Sequence, residues 1–277
     1  MLAVAVCQFA PTDDVADNRQ RMSQFTRDAV QRGAQLVVFP EYSNFFVNPI
    51  DGRLAQNAEP LDGPFVQHLQ QLAGEHAVTI VAGLIEVAQN SGAGGGDQHP
   101  ARVHNTAVAV TADGVVATHR KQHLYDAFGQ RESQWIAPGP LTTPETFVVA
   151  GFTIGVMTCY DLRFPEVART LTDAGADVFI VPAEWVRGPL KEHHWQTLLA
   201  ARAIENTAYV VAADHPTPIG VGHSAVVDPQ GVTIAAVSTH EGIALAHLDT
   251  SEIARVREVN PALRLRRYRV SPMMRRA

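Results

Sequence analysis

Apolar residues fall in short, nearly unbroken runs along the chain, at 2–7, 35–39, 78–85, 106–110, 115–117, 152–158, 178–181, 209–213, 225–227 and 243–248. Runs of this length without polar alternation predict strands covered on both faces. Amphipathic stretches of helix length separate several of them, at 17–32, 63–76, 164–174 and 191–206. Strands that alternate with helices predict a layered α/β fold, because each helix buries its apolar stripe on a sheet and returns the chain for the next strand.

The pattern also repeats. Residues 2–7, a helix and Gly33-Ala-Gln-Leu-Val-Val-Phe-Pro-Glu-Tyr42 correspond to 154–159, a helix and Gly175-Ala-Asp-Val-Phe-Ile-Val-Pro-Ala-Glu-Trp185. Each unit runs strand, cysteine, helix, Gly-Ala, strand, proline, acid. A duplicated βαβ unit predicts two similar halves, each with its own sheet, about a pseudo-twofold axis. In this alignment Cys7 matches Cys159, and Glu41 and Glu184 take related positions at strand ends. The alternative is coincidence between two units of similar composition.

At 277 residues, with 46% hydrophobic and 18% charged side chains, the chain can bury a large core as one α/β domain or two small ones. No apolar stretch approaches the roughly twenty uncharged residues that a membrane span needs, and the first residues lack a basic leader, so a cytoplasmic protein without membrane contact is expected. Two cysteines, Cys7 and Cys159, are too few for a disulfide framework and fit a reducing compartment. A net charge of −6 leaves no electrostatic footprint for nucleic acid. The twelve histidines are scattered, and His193-His194 has no metal-ligand spacing, so no metal is expected. The glycine-rich segment 89–98 reads as a surface loop between two strands.

Candidate chemistry begins at Cys159, which closes the run 152–158 and is followed by Tyr160-Asp-Leu-Arg-Phe-Pro-Glu166. A thiol on a strand-to-helix turn is presented to a pocket, with the next backbone N–H groups aimed at the same point, as attack on a carbonyl carbon requires. The plainer reading is a buried structural cysteine. Glu41 follows Phe39-Pro40 at another strand end, and Lys121 lies in Thr118-His-Arg-Lys-Gln-His-Leu-Tyr125 just after 115–117. Functional groups of α/β sheets gather at such ends. Singly, Glu41 reads as a turn cap and Lys121 as part of a solvated basic cluster with His119, Arg120 and His123. Together, thiol, carboxylate and ammonium form an acyl-transfer set: a base for the thiol and a fixed cation for the oxyanion.

Phe39-Pro-Glu41, His119-Arg-Lys121 and Cys159-Tyr-Asp-Leu-Arg-Phe-Pro-Glu166 resemble the three signature segments of the nitrilase (carbon–nitrogen hydrolase) superfamily, in the family's order. The resemblance spans essentially the whole chain, including the Gly-Ala-Asp block after the cysteine and Gly222-His-Ser-Ala-Val-Val-Asp-Pro-Gln-Gly231. It implies a four-layer α-β-β-α sandwich formed by one domain, residues 1–277, and a reaction that needs no cofactor. It implies Glu41 as general base, Lys121 as the cation that stabilises the intermediate, Cys159 as nucleophile and the Tyr160 backbone N–H as a second oxyanion donor. A further glutamate in many members is best matched by Glu132, in a loop shorter than that of many relatives; an exposed loop glutamate is the alternative.

Tyrosine after the cysteine, where true nitrilases typically carry tryptophan, resembles the Nit-type amidases that act on ω-amides of 2-oxo acids or deaminated glutathione. That implies a small carboxylate-bearing amide as substrate, with nitrile, N-carbamoyl amide or acyl transfer to an amine as alternatives. Such a substrate requires a basic group near the pocket, for which Arg163 and Arg187 are the candidates; Arg163 alternatively pairs with Asp161 or Glu166. Glu184 and Trp185 are expected to narrow the pocket, or else to stabilise the turn and pack, and the loop 215–223 to lie nearby. The basic segment from Leu263 to Arg276, in a tail covering residues 260–277, is expected at a homodimer interface.

Overall fold

The computed structural model describes residues 1–88 and 102–273. The glycine-rich segment 89–98 lies outside the described residues. The first half contains β1 (Leu2–Gln8), α1 (Val15–Gln31), β2 (Leu36–Val38), the short α2 (Arg53–Gln56), α3 (Pro64–His76), β3 (Thr79–Glu86), β4 (His104–Thr111) and β5 (Gly114–Arg120). The second contains β6 (Thr146–Val149), β7 (Phe152–Val156), α4 (Pro165–Asp173), β8 (Val178–Pro182), α5 (Lys191–Asn206), β9 (Tyr209–Ala213), β10 (Ala225–Val227) and β11 (Thr233–Ala236). The chain then returns to the first sheet as β12 (Gly242–Leu248) and ends its regular structure with α6 (Thr250–Val259).

Two six-stranded sheets result, ordered β12-β1-β2-β3-β4-β5 and β6-β7-β8-β9-β10-β11. In each, three parallel strands are flanked by antiparallel ones. The strand orders match position for position, with β12 standing for β6, so the expected duplication is the observed architecture. Alternation along the strands assigns the layers. Val4, Val6, Leu36 and Val38 meet Ile154, Val156, Val178 and Ile180 between the sheets. Ala5, Cys7, Val37 and Phe39 face α1 and α3, and Phe179, Val181, Val210 and Ala212 face α4 and α5. Burial on both faces explains why the strands read as unbroken apolar runs. Among the described residues no helix is long and apolar enough to cross a membrane.

The repeated Gly-Ala has a local cause. After α1 and α4 the chain reverses through Gly33 and Gly175, at φ +92° and +93°, a region that favours glycine. The next N–H then closes the helix end, Ala34 onto Ala29 O at 3.1 Å and Ala176 onto Leu171 O at 3.0 Å.

Ladder register corrects one part of the sequence alignment. Val4 pairs with Leu36 as Ile154 pairs with Val178, so Cys7 corresponds to Met157, and Cys159 to Phe9. By the same register Glu41 corresponds to Ala183, and Glu184 to Tyr42. Four elements carried too little apolar signal to be expected: the one-turn α2, the edge strands β6 and β11, and α6. Most of β11 is exposed, whereas α6 is announced only by Asp249, whose side chain caps the N–H of Ser251 at 2.9 Å.

Candidate active site

Four strand ends converge on one pocket. Pro40-Glu41 follows β2, Lys121 follows β5, Cys159 follows β7 by a short turn, and Ala183-Glu184 follows β8. Glu41, Lys121 and Glu132 are 1%, 2% and 5% exposed, so neither a solvated lysine cluster nor an exposed loop glutamate describes them. Lys121 Nζ lies 2.9 Å from Glu41 Oε1 and 3.0 and 2.9 Å from Glu132 Oε1 and Oε2. Asn105 Nδ2, at the start of β4, donates to Glu41 Oε1 at 2.6 Å and to Glu132 Oε1 at 3.2 Å. The other Glu41 oxygen accepts the Glu184 backbone N–H at 2.6 Å, which ties the two halves together. Glu132 sits in a short 3-10 turn, where its oxygens also accept the Tyr42 hydroxyl at 2.8 Å and the Tyr125 N–H at 2.6 Å.

Two glycines permit this density. A Cβ on Gly83 of β3 would collide with Tyr42 N and stand 2.7 Å from Glu41 Cα; one on Gly139 would collide with the carbonyl of Arg120, directly before Lys121. The backbone under each charged group can approach only because these positions lack side chains.

Cys159 has φ +45° and opens a 3-10 turn, Cys159–Arg163. A non-glycine residue in this conformation is held by its surroundings. The holding group is Asp161, fully buried, whose Oδ2 accepts Thr158 N at 3.2 Å and His119 Nε2 at 2.8 Å while Oδ1 accepts His123 N at 2.9 Å and Nδ1 at 2.8 Å. The thiol turn is thereby fastened to the segment on either side of Lys121. Burial acts to raise the Asp161 pKa, but the hydrogen bonds from His119 and His123 overcome it and hold the carboxyl well below its usual range.

The Cys159 thiol donates to Glu184 O at 3.4 Å and lines a pocket of about 310 Å³ with Lys121, Glu132, Glu184, Tyr42 and Tyr125. Cys7, by contrast, is fully buried within β1. Burial, reinforced by Glu41, pushes the Cys159 thiol well above its ordinary pKa, with Lys121 opposing. Burial likewise raises Glu41, against the pull of Lys121. For Lys121 burial acts downward, yet Glu132 and Glu41 outweigh it and hold the ammonium well above its ordinary value. The resting site therefore holds a protonated thiol, a fixed cation and a carboxyl group whose pKa burial raises.

The remaining expected residues divide. Tyr160 is the second residue of the thiol turn, where N–H groups lack acceptors within the turn. Glu184 lines the pocket with its carboxyl raised by burial and then by Glu41. Trp185 is buried against Trp195, donates Nε1 to Lys191 O at 3.0 Å, and lines a small side chamber with Cys159 and Arg163. Arg163 pairs with neither Asp161 nor Glu166; its guanidinium lies over the Trp185 ring at 4.7 Å. Arg187 is exposed and lines neither chamber. In the loop 215–223, His215 donates Nε2–H to Glu41 O at 2.7 Å, and burial lowers its pKa to about 4, so it is neutral. Sequence reasoning missed Asn105, Tyr42, Asp161 and Lys191. Asn105 alone left a trace, as an amide opening an apolar strand. Among the described residues no group of three or more His, Cys, Asp and Glu side chains is arranged to hold a metal ion.

The carbon–nitrogen hydrolase family model matches residues 3–258, nearly the whole chain and every one of these groups. The chain belongs to the carbon–nitrogen hydrolase family. Deaminated glutathione amidase of Escherichia coli O157:H7 is 37% identical over 268 residues, covering 96% of this chain and 98% of that protein. The human protein of the same name is 36% identical over 245 residues, covering 83% of this chain and 72% of its own. Among solved structures, Nit3 of Saccharomyces cerevisiae, a member of branch 10 of the nitrilase superfamily, superposes with a TM-score of 0.81 at 28% identity, covering 96% and 97% of the two chains. As a member of this family, the protein is an enzyme that hydrolyses carbon–nitrogen bonds.

Proposed function

We propose that the protein is a thiol amidase that converts a small carboxylate-bearing amide into the free acid and ammonia, or an amine where the amide nitrogen is substituted, through a cysteinyl thioester. The observation that carries this reading is the buried Lys121 bridging Glu41 and Glu132 beside the Cys159 thiol. Glu41, basic through burial yet hydrogen-bonded in its ionised form, takes the thiol proton as the sulfur bonds to the amide carbon. The oxyanion is held by Lys121 and the Tyr160 N–H. Collapse breaks the carbon–nitrogen bond, and Glu41 returns its proton to the leaving nitrogen, which departs as ammonia. Water then attacks the thioester, gives a proton to Glu41 and releases the acid; the proton returns to sulfur. Glu132 positions Lys121, and Glu184 and Trp185 shape the pocket.

The deaminated glutathione amidase relatives, whose substrate is an amide bearing carboxylates, support amide over nitrile. Release of the amine-side product is the test: a panel of ω-amides of short 2-oxo diacids, deaminated γ-glutamyl peptides and aliphatic nitriles should show turnover of the first two, with the acid formed in equal amount to ammonia from the ω-amides and to the free peptide amine from the deaminated peptides. Preference for nitriles, or acyl-amine formation in the presence of an added amine without hydrolysis, would overturn it.

Two free, buried cysteines far apart in sequence support a cytoplasmic setting. In this reading residues 1–277 form one domain. The exposed tail beyond α6, with Leu265, Tyr268 and Met273 uncovered, serves a homodimer interface. Sedimentation of the full chain against a version ending at residue 260 tests it: a monomer for both overturns the interface.

A further inference from the structure

One strand end of the second sheet adds nothing to the pocket wall yet reaches both reacting groups. β9 runs into Asp214 and His215, which line neither chamber. Asp214 is fully buried, and its carboxyl is met by backbone N–H groups: Trp185 N donates to Oδ1 at 2.7 Å, and Val221 N and Gly222 N donate to Oδ2 at 3.1 Å each. Its own N–H donates to the Ser224 hydroxyl at 2.9 Å, which fixes the backbone from which the carboxyl projects. Gly220 leaves room for this cradle, since a Cβ there would collide with His215 O and stand 3.0 Å from Asp214 Oδ2.

The peptide unit that joins Glu184 to Trp185 gives its N–H to Asp214 and its carbonyl to the Cys159 thiol, which donates to it at 3.4 Å. The unit before it gives the Glu184 N–H to Glu41 Oε2 at 2.6 Å. Two consecutive peptide units thus touch the nucleophile and its base, and the buried carboxyl fixes the plane of the second. His215 supports the same arrangement from the other side, donating Nε2–H to Glu41 O at 2.7 Å. Carboxyl, N–H, C=O and S–H form one chain in which each bond polarises the next. The chain needs a carboxyl, because both of its oxygens accept; an amide would turn a donor toward Trp185 N or toward Val221 N and Gly222 N.

We propose that Asp214 is a positioning residue for the reaction: by holding the Glu184–Trp185 peptide it keeps the resting thiol hydrogen-bonded to Glu184 O and the Glu41 carboxylate hydrogen-bonded to Glu184 N. Its effect on rate rests on the amidase reading above. The two bonds act on opposite protonation states. An acceptor for the S–H favours the neutral thiol, whereas an N–H donor to Glu41 favours the ionised carboxylate. Release of the peptide therefore eases ionisation of the thiol and hinders that of the base. Lys121 from the end of β5, Glu132 from the turn after it, Glu41 from the end of β2 and the Glu184 carboxyl also face the thiol, and Glu41 acts on Asp214 itself. None of these groups is altered when Asp214 is replaced.

The test places Asp214→Asn in the full chain. The S–H stretching band of Cys159 is read by infrared spectroscopy in a Cys7→Ala background, where no other cysteine remains. Without the Asp214 substitution the band should be lowered in frequency by the hydrogen bond, and Asp214→Asn should return it toward that of a free thiol. The pH midpoint for alkylation of Cys159 by iodoacetamide is expected to move down by about half a unit, and the acidic limb of kcat/KM for an ω-amide to move up by about as much. For the same amide kcat should fall about tenfold, with KM changed less than about twofold. Loss of a negative charge alone would move both profiles downward, and loosened packing would scale the rates at every pH and move neither. Either outcome overturns the positioning role, as does a free-thiol band in the protein that retains Asp214. A band that shifts as expected, in a protein that turns over no amide, would instead fault the amidase reading and leave the hold of Asp214 on the thiol standing.

Discussion

The two halves share a ladder, helix closures and strand order, yet use equivalent positions for different ends. Where β7 leads into the strained thiol turn, β1 leads through Gln8 to Phe9, and there the strand end serves as a fastener: Gln8 bonds Ser238 O at 2.8 Å and accepts Ser224 N at 2.9 Å. Where β5 delivers Lys121 into the pocket, its counterpart β11 is an exposed edge without charge. Beneath the end of β2 lies Gly83, and the register places Ala213 at the matching point beneath β8. The duplicated frame thus supplies rigidity twice. Glu41 and Lys121 come from the first half, Glu132 from the connection after β5, and the thiol and Glu184 from the second half. Catalysis across such a seam requires that each half be spoiled as a faithful copy of the other.

The sharpest way to break this comparison is to exchange the thiols. On the proposed mechanism Cys159→Ala should lower ammonia release by a factor on the order of 10⁴ or more, since a nucleophile and its base act as a unit. Cys7→Ala, at the position that sequence alone pairs with it, should leave kcat near that of the unaltered enzyme and cost about 1 kcal/mol in urea unfolding. A comparable loss of kcat in Cys7→Ala would refute the register correction.

Next in size is a substitution that makes the halves more alike. Gly83→Ala copies Ala213 into the first half and drives a methyl group into the backbone of Glu41 and Tyr42. On the proposed mechanism, a displacement of Glu41 by around an ångström should reduce kcat roughly a hundredfold. Unchanged kinetics would mean that the close approach does not fix Glu41.

A substitution read in stability rather than in rate sharpens the role of the clamp. Asp161→Asn removes the buried charge and turns one of its two oxygens, each an acceptor of two hydrogen bonds, into a donor, and should cost about 2–3 kcal/mol at neutral pH. The folded carboxyl has a depressed pKa, so its stabilisation is present above the unfolded value of about 3.9 and is lost as pH falls toward the folded one. The gap between the two proteins should therefore narrow below about pH 4 in urea unfolding. A gap that widens on acidification would reverse the assigned sign.

Much of the frame was legible in the sequence because it rests on local or strictly periodic signals. Apolar runs marked strands buried on both faces, and Gly33-Ala34 and Gly175-Ala176 marked the same helix closure. The slip that matched Cys7 to Cys159 shows the limit: identical residue types near two strand ends outweighed a register that only ladder hydrogen bonds define. Edge strands β6 and β11 escaped because a half-exposed edge carries little hydrophobic pattern.

For the site, the residue types and their order along the chain were fixed by sequence: a thiol after one strand, a carboxylate after another, an ammonium after a third. Whether those groups were solvated or buried, and which neighbours they shared, was decided only when strands remote in sequence were brought side by side. Asn105 reaches Glu41 and Glu132 across sheet contacts, Asp161 gathers two histidines from another segment, and Lys191 turns inward against the preference of its helix end. Such contacts have no period and no local cause. They follow from long-range packing, which sets the burial and fixed geometry on which a charge's chemistry depends.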